Sequence, residues 1–162
     1  MNKIIYLDAA ASALKPAAVV DAQVDFLRHK YANAGRGICA RVAAVDNMVA
    51  DARRTVGEWI HAAPYQIVFT SGTTDAMNRI VGMVRQLPVF ASSKPVVAVS
   101  DLDHHSARMP WQNLANLGLC DMTVCALDDA YNIDAARVPA ADVMVITAMS
   151  NVMGAPQDVA AI

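Results

Sequence analysis

Three short stretches carry residue types able to do chemistry. The first is Thr70-Ser71-Gly72-Thr73-Thr74-Asp75, which joins a β-prone run to a helical pattern. A glycine there lets the backbone approach a ligand closely, and the first-turn N–H groups of a helix point outward at its positive dipole end. Thr73 and Thr74 add hydroxyl donors, so the set suits a phosphate monoester. The same residue types also make an N-cap that needs no ligand. No Gly-Lys-Ser/Thr follows, so this is not a Walker P-loop. The second stretch is Asp103-His104-His105, just after a run ending at Ser100. An imidazole at such a place can stack on an aromatic ring, move protons or bind metal. Adjacent histidines cannot share one helix face, so as a pair they signal metal weakly, and a surface His-His with no role is equally open. The third is Ser150-Asn151-Val152-Met153-Gly154. Asparagine offers donor and acceptor together and can fix a phenolic or carboxylate oxygen. An asparagine shortly before a glycine is also simply a turn signal.

All three stretches fall beyond the ends of successive strand-like runs, where α/β sheets gather their ligands. Together, a phosphate cradle, a ring-stacking imidazole and an oxygen-fixing amide describe a pocket for a phosphorylated aromatic ring. The runs that position them are Gln66–Thr70, Pro95–Ser100, Met122–Leu127 and Val143–Thr147. Between them lie a helical pattern through Met77, Ile80, Val81 and Val84 and a broken helix around Trp111–Leu117. Strands alternating with helices predict an α/β architecture with a largely parallel sheet. Upstream, Pro16 suits a first helical turn, and Val20, Val24, Leu27 and Tyr31 form an amphipathic stripe. Ala34-Gly35-Arg36-Gly37 breaks that helix. A longer one follows, with Val42, Val45, Val49, Ala52, Val56 and Trp59 laid along a core. Gln157–Ile162 reads as a helix barely begun, an unfinished crossover.

The 162 residues suffice for one domain with a real core. Hydrophobic residues make up 56% and charged ones 17%, the reverse of the balance that marks disorder. A net charge of −2 gives no electrostatic footprint for nucleic acid or an anionic membrane. No run approaches the roughly 20 apolar residues of a spanning helix, and Asp8 interrupts too short an apolar start for a signal peptide. Cys39, Cys120 and Cys125 contain no Cys-x-x-Cys pair and suit a reducing cytosol better than a disulfide framework. The expectation is a soluble cytoplasmic domain without bound metal.

Tyr6-Leu-Asp-Ala-Ala-Ala-Ser-Ala-Leu-Lys-Pro16 resembles the start of class V aminotransferase-like proteins, in particular cysteine desulfurases of the sulfur-mobilising and selenocysteine-lyase-like group. Gly72-Thr73-Thr74, Asp103-His104-His105 with Pro110-Trp111 behind it, and Ser150-Asn151-Val152-Met153-Gly154 continue the resemblance in order. It implies N-terminal helices (about 1–62) and the first part of a type I pyridoxal-phosphate large domain (about 63–162) as one structural unit, incomplete at the C-terminus. It also implies pyridoxal 5′-phosphate as cofactor. Thr73 and Thr74 would hold the phosphate, His104 would stack on the pyridine ring, and Asn151 would contact the phenolic oxygen or the substrate carboxylate. Ala10 and Ala11 would lie near the substrate, and Arg36 would match an arginine approaching the site across a homodimer.

The implied reaction takes L-cysteine to L-alanine and an enzyme-bound persulfide, with a possible sulfur-acceptor protein as partner. Other class V reactions (transamination, selenocysteine cleavage, epimerisation) and a non-catalytic interaction module are the alternatives. Gly35-Arg36-Gly37 and Ser106-Ala107 depart from the family's His-Arg-Gly and Ala-Asn. Lys3, Lys15, Lys30 and Lys94 stand in no Schiff-base motif, and no persulfide-cysteine motif is present. The expectation is therefore an N-terminal segment that is inactive by itself.

Overall fold

The computed structural model describes residues 5–35, 37–63 and 66–162. The chain divides into two units, residues 1–69 and 70–162.

In residues 1–69 the chain opens with a turn at residues 9–11, closed by Ser12 N–H donating to the Asp8 carbonyl (3.1 Å). Helix α1, Ala17–Asp25, begins behind Pro16, which sits at the N-cap with an extended ψ of 145° rather than inside the first turn. The helix continues as a single π turn, Phe26–Lys30. Its apolar stripe forms, but no residue of α1 is buried, and Tyr31 lies past the helical end with its ring edge-on to Phe26. Helix α2, Ala40–Trp59, buries Val42, Val45 and Gly57, whereas Trp59, expected on the same stripe, is 82% exposed. The helix ends in a Schellman cap. His61 takes the left-handed conformation (φ 56°), Ala62 N–H donates to the Gly57 carbonyl (2.8 Å) and His61 N–H to that of Glu58 (3.5 Å).

The expected strand at Gln66–Thr70 does not form. Among the described residues no neighbour completes a ladder for it, and β-propensity without a partner strand leaves an extended but unpaired segment. Arg53 holds it instead, donating to the Ile67 carbonyl (3.3 Å) with its guanidinium over the Phe69 ring.

Residues 70–162 build on a parallel sheet in the order β2–β1–β3, with β1 at Val96–Ser100, β2 at Asp121–Cys125 and β3 at Val143–Met144. Val96–Ser100 pair residue by residue with Asp121–Cys125, and Val97 and Ala98 pair with Val143 and Met144. Flanked on both sides and covered on both faces, Val97, Ala98 and Val99 have no exposure at all, as the all-apolar run requires. On one face Val97 and Val99 pack with Val81 of α3 (Thr73–Val84) and with Trp111 and Leu114 of α5 (His105–Asn116). On the other, Ala98 packs with Leu102, Cys125 and Ile133. A short helix, α4 (Pro88–Ser92), precedes β1.

Three boundaries differ from the sequence reading. The helix expected as broken around Trp111–Leu117 runs unbroken from His105, because Pro110 in its early turns forgoes only the bond to the Ser106 carbonyl. The run to Thr147 pairs over Val143 and Met144 only. Val145 N–H still reaches the Ala98 carbonyl (2.9 Å), after which the chain turns away. Gln157–Ile162 is a turn closed by Ala161 N–H to the Asp158 carbonyl, too short to nucleate a helix. Among the described residues no helix is long and apolar enough to cross a membrane.

Candidate functional site

The loops that leave the carboxyl ends of β1 and β3 meet through Asp103. One carboxylate oxygen accepts the Ser100 N–H (2.8 Å) at the end of β1, and the other accepts the Thr147 N–H (2.7 Å) beyond β3. Partial burial pushes this carboxyl above its ordinary range, against the pull of the two amide donors.

His104, the next residue, caps α5. Its Nδ1 accepts the Ser106 N–H (3.2 Å) and lies 2.7 Å from the Ser106 hydroxyl, and the ring is exposed. On the β3 side, buried Ser150 folds the loop around its own Oγ, which accepts from Val152 N–H (3.3 Å) and Met153 N–H (3.4 Å). Gly154, left-handed at φ 69°, closes the turn by donating to the Ser150 carbonyl (2.8 Å). Asn151 sits exposed at the apex, and its side-chain amide has no partner among the described residues.

These two loops share a cavity of about 630 Å³, whose walls include Asp103, His104, Tyr131, Ser150, Asn151 and Met153. That volume is in the range of sites for small molecules. His104 and Asn151, singled out from separate motifs, therefore line one cavity. Thr73 and Thr74 are not among its lining residues.

Tyr131 was not singled out from the sequence. It arrives on a tight loop after β2, where the Asp128 carboxylate accepts from Ala130 N–H (2.9 Å) and Asn132 N–H (2.8 Å). These donors hold the Asp128 carboxyl below its usual range. The Asp and Asn of Asp128-Asp129-Ala130-Tyr131-Asn132 were a readable turn signal, but no sequence rule aims that turn at the cavity.

The start of α3 is arranged differently from a capped helix. Gly72 at the N-cap adopts φ 150°, and no side chain caps the helix. Asp75, the obvious candidate, instead accepts from Ser71 N–H (3.2 Å) and from Arg79 Nε (2.7 Å), both of which lower its pKa. The N–H groups of Thr73, Thr74 and Asp75 are left without acceptors among the described residues, while Ala76 N–H begins the helical ladder at the Gly72 carbonyl.

Ala10 and Ala11 occupy the exposed turn near the start of residues 1–69, and Arg36 lies outside the described residues. No group of three or more metal-ligating side chains gathers among the described residues.

The class-V aminotransferase family pattern matches residues 5–162. The chain belongs to this family. A cysteine desulfurase of Dickeya dadantii is 35% identical over 157 residues, covering 93% of this chain and 38% of its own length. A probable cysteine desulfurase of Methanothermobacter thermautotrophicus is 33% identical over 160 residues, covering 96% of this chain and 38% of its own. The solved apo structure of a Thermococcus onnurineus cysteine desulfurase superimposes with a TM-score of 0.84 at 25% identity, over 98% of this chain and 40% of that one. An Escherichia coli cysteine desulfurase superimposes at 0.75 with 30% identity, over 96% and 40%. The chain thus spans about two-fifths of the relatives it matches, and the family is pyridoxal-phosphate-dependent.

Proposed function

We propose that these residues form the cofactor-binding N-terminal part of a pyridoxal-phosphate-dependent cysteine desulfurase, which converts L-cysteine to L-alanine and an enzyme-bound persulfide. The observation that carries this reading is the convergence of His104 and Asn151 on one cavity at the carboxyl ends of a parallel sheet. The donor chemistry fits the group. The amides and hydroxyls of Thr73 and Thr74 at the mouth of α3, without partners among the described residues, suit a phosphate. The imidazole of His104, fixed by its cap to Ser106, suits the face of a pyridine ring. The amide of Asn151, without a partner among the described residues, suits the ring's phenolic oxygen or the substrate carboxylate. Ala10 and Ala11 belong on the substrate side, and Arg36 would enter across a homodimer.

Once bound, the cofactor supplies an electron sink for bond cleavage on an amino acid. This chain's own residues bind and orient it. Asp103 keeps the His104 and Asn151 loops in register by tying the ends of β1 and β3.

Covalent roles need a lysine and a cysteine in motifs that these 162 residues do not carry, so the chain by itself is inactive. The three thiols are free, in keeping with a cytoplasmic setting, and a sulfur-acceptor protein would be the partner of the whole enzyme. Titration of the chain with pyridoxal 5′-phosphate, followed by absorbance, tests the reading. Saturable binding weakened by Thr74→Ala and by Asn151→Ala is expected, with sulfide release from cysteine no faster than by the free cofactor. No saturable binding would overturn the cofactor assignment.

A further inference from the structure

Only two non-glycine residues adopt positive φ among the described residues, His61 at 56° and Tyr131 at 62°. His61 is accounted for by its fold position, since both hydrogen bonds of a Schellman cap close around it. Tyr131 fills the left-handed position of a three-residue hairpin turn, where Asp128 N–H donates to the Asn132 carbonyl (2.8 Å) beside the antiparallel Leu127–Ile133 bridge, so the fold asks for the conformation but not for a tyrosine. A bulky aromatic in the left-handed region is strained, because Cβ crowds the following carbonyl. The bonds that build its loop come from the Asp128 carboxylate and from main-chain groups, including Tyr131 N–H to the Asp128 carbonyl (3.0 Å). A glycine would make all of them without the crowding.

The side chain returns nothing to the fold. It is 57% exposed, and neither its hydroxyl nor its ring has a partner among the described residues. Yet it lines the cavity that holds His104 and Asn151. An exposed side chain kept in a strained conformation at the wall of a cavity points to a role in binding rather than in stability.

We propose that Tyr131 is a ligand-contacting residue of this cavity, its phenol ring forming a wall against the planar ring of the occupant and its hydroxyl donating to one of that occupant's oxygens. The proposal rests on the assignment of the cavity to pyridoxal 5′-phosphate. It adds a contact from the loop after β2, a third element beside the loops after β1 and β3.

The test compares the parent chain with Tyr131→Gly and Tyr131→Phe by titration with pyridoxal 5′-phosphate and by thermal unfolding without it. Tyr131→Gly is expected to weaken binding about tenfold, the equivalent of a lost aromatic contact, and Tyr131→Phe about threefold, for the lost hydroxyl. The unfolding midpoint of Tyr131→Gly should equal or exceed that of the parent. That split is one a purely structural tyrosine would not produce. Unchanged affinity in Tyr131→Gly overturns the proposal while leaving the cofactor assignment standing. A lowered midpoint in Tyr131→Gly also overturns it, by showing that the side chain supports the fold. Failure of the parent itself to bind overturns both.

Discussion

Residues 1–69 and 70–162 both carry apolar stripes and put them to different use. In the first unit α1 buries nothing and α2 buries Val42, Val45 and Gly57. In the second, two helices and two strands converge on β1, whose Val97, Ala98 and Val99 are sealed from solvent. A stripe of period 3.6 states which face of a helix is apolar; burial depends on what lies opposite. A parallel sheet brings its own cover, because each crossover helix must return across its face.

The largest test of this contrast is Trp111→Ala. Trp111 is 1% exposed in the centre of the core, its indole N–H without a partner among the described residues, so its value there is packing. The loss is expected to be about 3–5 kcal/mol by chemical denaturation. A cost below 1 kcal/mol, on the order of a surface change, would show that the sheet unit is as loosely packed as α1.

Next is Asp103→Ala, which strands the N–H groups of Ser100 and Thr147 and is expected to cost about 1–3 kcal/mol. Its pH dependence sharpens the point. Burial raises the folded pKa above the unfolded one, so the contribution of Asp103 is fully present below the ordinary carboxyl value and is lost as pH rises through the folded value. Measured against Asp103→Asn, which cannot titrate, the parent should lose relative stability with rising pH across that window and then level off. A rise instead would mean that the two amide donors outweigh burial.

The smallest effect belongs to the first unit. Val24→Ala on the exposed stripe of α1 should change stability by no more than about 0.5 kcal/mol. A loss comparable to that of Trp111→Ala would show that the stripe is covered in solution and would erase the contrast.

The parts of the fold legible from sequence were those whose signal is local. Val42 to Val56 announced α2, Met77, Val81 and Val84 announced α3, and the unbroken apolar run at 96–99 announced a strand buried on both faces. Gln66–Thr70 failed because a strand is a property of a pair, and Val143–Thr147 shrank because Asp103 takes the Thr147 N–H that a longer ladder would have used. At the site, His104 and Asn151 were visible through their motifs. Tyr131 was hidden, because a tyrosine has no sequence signature for positive φ and its loop reaches the cavity only through the three-dimensional course of β2. The partnerless amides at α3 turn on the choice Asp75 makes between the helix and Arg79, which composition does not encode.

The junction of β3 with β1 also sets an order of events during folding. At its start Asp142 grips Val96 twice, main chain to main chain (2.9 Å) and carboxylate to N–H (2.9 Å), across 46 positions of sequence. The β1–β2 pair is joined at its start by Lys94 and Asp121 across 27. Closing the longer loop costs more chain entropy before any contact rewards it. The β1–α5–β2 crossover should therefore assemble first, with β3 docking afterwards onto an edge already formed. The cavity between the β1 and β3 loops would then appear only after the β1–β2 pair has formed, and would be lost before that pair when the chain unfolds.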